Sequence, residues 1–221
     1  MSDGLQQRLS GVDSCAVSDA MDRHGGPGGV ALGIRAVSDL RRIAGRAVTV
    51  QLGPADGRPA PRHLCTAAVE SAGPGQIIVV GHNGREDVAG WGGVLSLAAR
   101  LREVEGVVID GACRDIDEIR EMGLVVYARG AVPVTARSRI IELAWNIPIQ
   151  ICGIAVCPGD WVIADGSGVV VIPANDAAVI IESAGRIVEK EQRMAADLRA
   201  GKPVSQVMGT DYERMLLGER I

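Results

Sequence analysis

The sequence predicts an α/β protein built from parallel β-α-β units, and three features of the chain support this fold class. Short aliphatic runs alternate with amphipathic segments, and glycine-containing turns separate them. The chain has no Phe and only 2% aromatic residues, so Val, Ile, Leu and Ala must fill its core. Strands that helices cover on both faces are rich in these residues. We expect one domain over residues 1–221.

The first predicted elements are two helices with a strand between them. A helix is expected over Leu9–His24, with Gly25–Gly29 as its stop. Ala44–Leu52 has the composition of a strand. A second helix is expected over Arg62–Ala72, ended by Gly73-Pro74-Gly75.

The centre of the chain carries the clearest pattern. Gln76–Val80 is a short run rich in β-branched residues, which predicts a buried strand, and Gly81–Gly90 is polar and glycine-rich, which predicts a loop. From Val94 to Val104, apolar residues recur at spacings of three and four, which is typical of an amphipathic helix.

A second and a third strand follow in the same style. Val107–Asp110 is a predicted strand, Gly111–Arg114 a loop, and Asp115–Met122 a short helix with three acids near its start and Gly123 as its stop. Leu124–Ala128 is the third strand. The order β-α-β-α-β predicts parallel pairing with right-handed crossovers.

The last third of the chain predicts strands and then one long helix. The strands are expected at Ile147–Val156, Trp161–Ala164 and Val169–Ile172, with a hairpin turn at Asp165–Gly168. The helix is expected from about 175 to 199 and would be about 36 Å long at 1.5 Å per residue. Because one compact domain does not need such a length, we expect it to pack on a neighbouring subunit.

Composition excludes several classes of function. The net charge is −4 with both signs interspersed, so no basic surface for nucleic acid is expected. No run of about eighteen apolar residues occurs and residues 1–10 are polar, so we expect a cytoplasmic protein with no membrane partner. Five cysteines without a Cys-x-x-Cys pair favour reduced thiols over a zinc or redox site.

Two predicted loops carry the candidate chemistry, Trp91–Leu95 and Asp110–Asp115. Ligands bind beyond the carboxyl ends of parallel strands, and both loops leave the sheet at that edge. Gly92-Gly93 opens a helix whose amides suit a carboxylate. Arg114 can clamp a carboxylate, and Asp115 can hold a hydrated divalent cation.

Structural roles for the same residues stay open at this point. Asp110-Gly111 is a common turn sequence, Asp115 can cap the helix that it starts, and Arg114 can form a surface ion pair. His82 and Cys113 flank the predicted pocket, and we interpret both as incidental to it.

The motifs Trp91-Gly92-Gly93-Val94-Leu95 and Gly106–Asp115 resemble the signature of the RraA-like family, as do Pro158–Asp165 and Gly168–Pro173. The resemblance extends from about Ser18 to about Gly201. That family includes class II pyruvate aldolases acting on 4-hydroxy-4-methyl-2-oxoglutarate or 4-carboxy-4-hydroxy-2-oxoadipate, and the regulator of ribonuclease E activity.

The resemblance implies a layered α/β fold with a central swivelling β-layer, assembled as a homotrimer or hexamer. It implies that Arg114 binds the carboxylate and keto oxygen of a small-molecule 2-oxo acid, with help from the amides of Gly92, Gly93, Val94 and Leu95. It further implies that Asp115 ligates Mg²⁺ (or Mn²⁺) in a water shell. A neighbouring subunit's Glu191, or else Glu189, would hold those waters.

One position departs from the aldolase pattern. The aldolases carry an Asp twenty-one residues before the Arg, where it activates the water used as base, and here that position is Gly93. His82, Glu86 and Asp87 are the alternatives on the preceding segment. Without a base, decarboxylation should persist while aldol cleavage should be weak, and Gly93→Asp should restore cleavage if the pocket admits the side chain.

Three functions are therefore compatible with the sequence. The first is a divalent-metal-dependent carbon–carbon lyase that decarboxylates oxaloacetate-type acids, releases pyruvate by retro-aldol cleavage, or does both, with Arg114 and Asp115 as its catalytic residues. The second is different chemistry on the same scaffold, as in a hydratase or isomerase. The third is a non-catalytic regulatory or binding protein.

Overall fold

The N-terminal segment forms two helices rather than one. The computed structural model describes residues 2–25, 29–60 and 62–209. Helix α1 (Ser2–Ser10) and helix α2 (Ser14–Arg23) replace the predicted Leu9–His24 helix, which is wrong at its start. The break occurs because Asp13 caps α2, its carboxylate accepting the Ala16 N–H at 2.8 Å. Residues 26–28, which belong to the predicted helix stop at Gly25–Gly29, lie outside the described residues.

The elements of the central region alternate between strand and helix. In chain order they are β1 (Arg35–Ala36), β2 (Ile43–Pro54), α3 (Thr66–Ser71), β3 (Gln76–Ala89), α4 (Gly93–Leu101), β4 (Gly106–Cys113), α5 (Ile116–Met122) and β5 (Val126–Ala131). The C-terminal elements are β6 (Ile140–Trp145), β7 (Ile149–Ile151), β8 (Ile154–Val156), β9 (Trp161–Asp165), β10 (Gly168–Ile172), α6 (Ala177–Arg199) and α7 (Val204–Val207).

Eight strands form one mixed sheet. The order is β1-β5-β4-β3-β2-β9-β10, with β6 also paired to β2. Strands β2, β3, β4 and β5 pair in parallel, which confirms the predicted β-α-β units, and the other pairings are antiparallel. A bridge between Val30 and Val170 brings the two ends of the sheet close, so that it is nearly closed. The predicted α/β class is confirmed.

Two segments that were predicted as loops belong largely to strands in the structure. The prediction of a loop over Gly81–Gly90 is wrong, because β3 continues through Ala89, and Gly111–Cys113 belong to β4. The extended pairing is irregular: Arg85 pairs with Gly111 and Ala89 with Ala112, with register shifts between them. Bulged pairing of this kind tolerates polar residues and glycine, so this stretch lacks the aliphatic pattern of a buried strand.

Helices cover the sheet on two sides. Helices α3, α4 and α5 pack over the parallel strands, with Leu95 and Ile119 in the same buried cluster as Ile78 and Val107. Helices α1, α2 and α6 pack around Trp161 at β9 in a second cluster. The first arrangement places the starts of α4 and α5 at the carboxyl ends of β3 and β4.

The long C-terminal helix is confirmed, from Ala177 to Arg199. Its first half is buried through Ile180, Ile181, Ala184 and Ile187, while its last turns are mostly exposed. Its contact with a neighbouring subunit stays a prediction. In the part of the chain that the structure describes, no helix is long and apolar enough to cross a membrane.

Candidate active site

The two sequence motifs meet at one edge of the sheet. Residues 90–92 link β3 to α4, and Arg114 and Asp115 link β4 to α5. The Arg114 N–H donates to the Trp91 carbonyl at 3.0 Å, and the Gly90 N–H donates to the Ala112 carbonyl at 2.9 Å. These backbone bonds hold the two connections side by side.

Asp115 joins the two connections through its side chain. It stands at the start of α5 with a left-handed backbone (φ 60°), but its carboxylate does not cap that helix. Instead, Oδ2 accepts the Gly93 N–H at 2.9 Å, and Oδ1 accepts the Arg114 Nε–H at 3.0 Å. The carboxylate therefore caps the neighbouring helix α4, and the alternative that Asp115 caps its own helix is wrong.

The same contacts set the charge of the site. Partial burial tends to raise the pKa of Asp115, but the hydrogen bonds from Gly93 and Arg114 outweigh it, so the pKa lies below its usual value. Asp115 is therefore an ionised carboxylate paired with a half-buried arginine.

Glycine at position 92 is required by this packing. A Cβ added to Gly92 would lie 2.9 Å from Asp115 Oδ2 and 3.1 Å from Arg114 Cγ. A side chain there would push the ion pair away from the start of α4. The glycine thus allows the Asp115 carboxylate to lie close to the start of α4, where the sequence predicted amides that suit a carboxylate.

A cleft of about 250 Å³ opens beside this pair. Its lining includes the predicted residues Gly92, Gly93, Val94, Leu95, Arg114 and Asp115. It also includes residues that the sequence did not single out, above all His63, Thr135 and Arg137. Basic groups outnumber the single acid, so the cleft suits a small anion.

Tertiary contacts position the loop that carries His63. Cys65 has a left-handed backbone (φ 65°), and its N–H donates to the buried Glu142 carboxylate at 2.8 Å. The His63 carbonyl accepts the Thr66 hydroxyl at 2.8 Å. No sequence motif marks these contacts, because Glu142 belongs to β6, far along the chain.

The alternatives for the missing acid lie outside this cleft. His82 is buried, its Nε2 is 2.9 Å from the Val88 carbonyl, and burial lowers its pKa. Asp87 pairs with Arg85 at 2.7 Å on the surface. Glu86 is exposed. None of the three lines the cleft.

Two further residues from the motif have structural roles. Burial raises the pKa of Cys113 to about 12, so it is a protonated core thiol, as expected. Asp110 lies within β4 rather than in a turn, and its buried carboxylate accepts the Cys152 N–H at 2.8 Å and pairs with Arg129. This contact fixes the β7–β8 hairpin to the sheet.

The donor set restricts the kind of metal that fits. Among the described residues, no group of three His, Cys, Asp or Glu side chains could enclose a metal ion. Asp115 fits a hydrated Mg²⁺, which binds through one or two carboxylates and keeps several waters. Glu191 of the same chain lies near Asp13 and Asp19, and partial burial and those charges raise its pKa. It does not line the cleft.

The site therefore consists of an arginine, a carboxylate and helix amides around a small cleft at the carboxyl edge of parallel strands, an arrangement that suits a small anionic ligand. The chain belongs to the RraA-like family: the family model described as Aldolase/RraA matches residues 14–171. The predicted resemblance is confirmed.

Individual relatives carry different names. Protein DlpA of Legionella pneumophila is 29% identical over 97% of the chain, which spans only 35% of DlpA. A Halalkalibacterium halodurans protein, provisionally named 4-hydroxy-4-methyl-2-oxoglutarate aldolase, is 27% identical over 78% of each chain. The structure of Streptomyces coelicolor RraAS2, titled an unusual member of the RNase ES inhibitor RraA family, superposes with a TM-score of 0.77 at 27% identity, over 86% of this chain and 94% of that one.

Proposed function

We propose that the protein is a divalent-metal-dependent carbon–carbon lyase that acts on a short 2-oxo acid. The observation that carries the proposal is the junction of Arg114, Asp115 and the start of α4 in one small cleft. The provisional aldolase names of relatives support the same reaction class.

Arg114 is suited to bind the substrate and its reacting form. Its Nε–H is occupied by Asp115, which fixes the plane of the guanidinium and leaves the terminal nitrogens for a carboxylate and the adjacent keto oxygen. Cleavage of the bond beyond C3 leaves an enolate, and a fixed positive charge stabilises the developing oxyanion.

The first turn of α4 supplies the second anchor. The N–H groups of a first helical turn have no partner within the helix. Asp115 takes the one at Gly93, so those of Val94 and Leu95 are the proposed donors to the substrate carboxylate.

Asp115 is the proposed direct ligand of Mg²⁺ or Mn²⁺, with waters completing the shell. A bound cation would supply Lewis-acid stabilisation of the enolate. Glu191 of a neighbouring subunit would hold those waters in a homotrimer or hexamer. The exposed apolar side chains Val94, Leu97 and Leu101 on α4 support an additional subunit contact beside the cleft.

The test is pyruvate release from oxaloacetate. We expect turnover with Mg²⁺ or Mn²⁺, its loss with a chelator, and its recovery when metal is restored. Because free metal ions also decarboxylate oxaloacetate, Asp115→Asn protein at the same concentration serves as the matched control. A wild-type rate equal to that of the control would exclude the proposed activity.

A non-catalytic regulatory role is the second candidate. It is favoured by the structural likeness to RraAS2 and by glycine at the position where the aldolases carry an acid. This role predicts no pyruvate release from any 2-oxo acid tested. It also predicts that Arg114→Lys leaves the biological effect unchanged, since a binding surface does not need the geometry of a carboxylate clamp.

A further inference from the structure

Retro-aldol cleavage needs a base, and Asp115 is poorly placed to be one. Both oxygens of Asp115 already accept hydrogen bonds, from the Gly93 N–H and from the Arg114 Nε–H. His82, Glu86 and Asp87 do not line the cleft. Two candidates remain among the described residues: His63, which lines the cleft, and Glu118, whose carboxylate lies beside Gly93.

Glu118 reaches the space beside Gly93. A Cβ added to Gly93 would overlap Glu118 Oε2, which lies closer to that position than any other atom. Glu118 stands in the first turn of α5, and Asp115, at the start of the same helix, contacts Gly93 directly. Its carboxylate therefore stands where a side chain from position 93 would begin.

The Glu118 carboxylate is also unoccupied by other protein groups. The side chain is exposed, and it forms no hydrogen bond or ion pair with any other residue that the structure describes. In this it differs from Asp115, and also from Asp117, which pairs with Arg120. Glu118 is thus an unpaired carboxylate beside Gly93, and Gly93 itself lines the cleft.

We propose that Glu118 is the general base for aldol cleavage and replaces, from helix α5, the acid missing at Gly93. The inference rests on the proposed lyase function. It changes the expectation from sequence that cleavage should be weak. Gly93→Asp alone should add little, because the added side chain would collide with the end of the Glu118 side chain and displace the proposed base.

The proposed step conserves protons and electrons. Glu118 takes the proton of the C4 hydroxyl, directly or through one water, as the C4–O bond becomes a carbonyl. The C3–C4 bond breaks, and its electron pair forms the enolate of pyruvate, whose oxygen faces Arg114. The protonated Glu118 then returns the proton to C3, which completes pyruvate without any further reactant.

Two substrates separate the role of Glu118 from that of the site as a whole. Decarboxylation of oxaloacetate has no hydroxyl proton to remove, whereas cleavage of 4-hydroxy-4-methyl-2-oxoglutarate does. General-base assistance is worth about 10²–10⁴ in rate. Glu118→Gln should therefore lower kcat for cleavage by about 100-fold or more, and change the decarboxylation rate by less than about threefold.

Controls cover folding and the other candidate base. Glu118→Gln should keep the wild-type melting temperature and bind oxalate, a mimic of the enolate, with unchanged affinity. His63→Gln removes the imidazole that lines the cleft and should not discriminate between the two substrates. The double variant Gly93→Asp/Glu118→Ala, in which the collision is absent, should regain part of the cleavage.

Each outcome decides a separate point. Loss of cleavage alone in Glu118→Gln supports the inference. Equal effects on both substrates, selective loss in His63→Gln instead, or a wild-type protein that decarboxylates but does not cleave would overturn it and leave the lyase function standing. A wild-type protein that releases pyruvate from neither substrate would refute the proposed function itself.

Discussion

Removing the Asp115 carboxylate should destabilise the fold as well as abolish activity. The carboxylate joins the start of α4 to Arg114, because it accepts hydrogen bonds from the Gly93 N–H at 2.9 Å and from the Arg114 Nε–H at 3.0 Å. Two separate parts of the chain thus depend on one side chain. Asp115→Ala removes both bonds, whereas Asp115→Asn keeps an oxygen acceptor for Gly93 and loses the charge.

The size of the effect follows from these contacts. Losing a helix N-terminal cap costs about 1 kcal/mol. The ion pair adds only about 0.5 kcal/mol, because the side chains of Arg114 and Asp115 are 38% and 27% exposed. We therefore expect a loss of about 1.5 kcal/mol in the free energy of unfolding for Asp115→Ala, and of about 0.5 kcal/mol, the ion pair alone, for Asp115→Asn.

Urea denaturation followed by tryptophan fluorescence measures these losses, with Trp91 in the adjoining core as one reporter. Asp117→Asn is the matched control, since that side chain is 95% exposed in the same helix and should change stability very little. If Asp115→Ala unfolds at the same urea concentration as wild type and the control, then the Asp115 carboxylate does not stabilise the start of α4, and its hydrogen bonds with Gly93 and Arg114 are not the contacts that hold the site together.

Three further variants test neighbouring features. Arg114→Lys should lower kcat/KM by about 100-fold, because a point charge does not reproduce a planar clamp; near-wild-type turnover would assign the clamp to another residue. Gly92→Ala should impair catalysis to a similar degree, since its Cβ would lie 2.9 Å from Asp115 Oδ2; a fully active variant would show that this close approach is not needed. Burial lowers the pKa of His82 from its ordinary value of 6.5, so below about pH 6.5 the unfolded chain binds a proton more readily than the folded one. The free energy of unfolding should therefore decrease as the pH is lowered below about 6.5, by up to about 1.4 kcal/mol per pH unit. His82→Gln should flatten this slope in denaturation curves at pH 5 to 7, and an unchanged slope would place the titrating group elsewhere.

The parallel core of the fold was predictable because its strands are buried on both faces. The aliphatic runs at Gln76–Val80, Val107–Asp110 and Leu124–Ala128 predict strands that are covered on both faces, and their alternation with helices predicts parallel pairing. The extension of β3 over Gly81–Ala89 was missed because its pairing is bulged and its residues are polar. Strand β6 was missed for a related reason, since it pairs at the far side of β2 and only half of its residues are buried.

The candidate site was predictable only where topology brings motifs together. The carboxyl ends of β3 and β4 are adjacent in any parallel sheet of this order, so Gly92-Gly93 and Arg114-Asp115 had to meet there. His63 and Arg137 reach the cleft through loops whose paths depend on tertiary contacts such as Cys65 with Glu142. From the sequence, Glu118 was predicted only as one of the acids near the start of a helix. No spacing rule predicts that its carboxylate lies beside Gly93.

The most direct test of the central claim is the rate of pyruvate formation from oxaloacetate, measured with Mg²⁺ for wild type and for Asp115→Asn under identical conditions. The wild-type rate should lie well above that of the variant, the variant should match the metal-only blank, and the difference should disappear when the metal is chelated. Equal rates for wild type, variant and blank would contradict the assignment of Arg114, Asp115 and the start of α4 as the active site of a lyase.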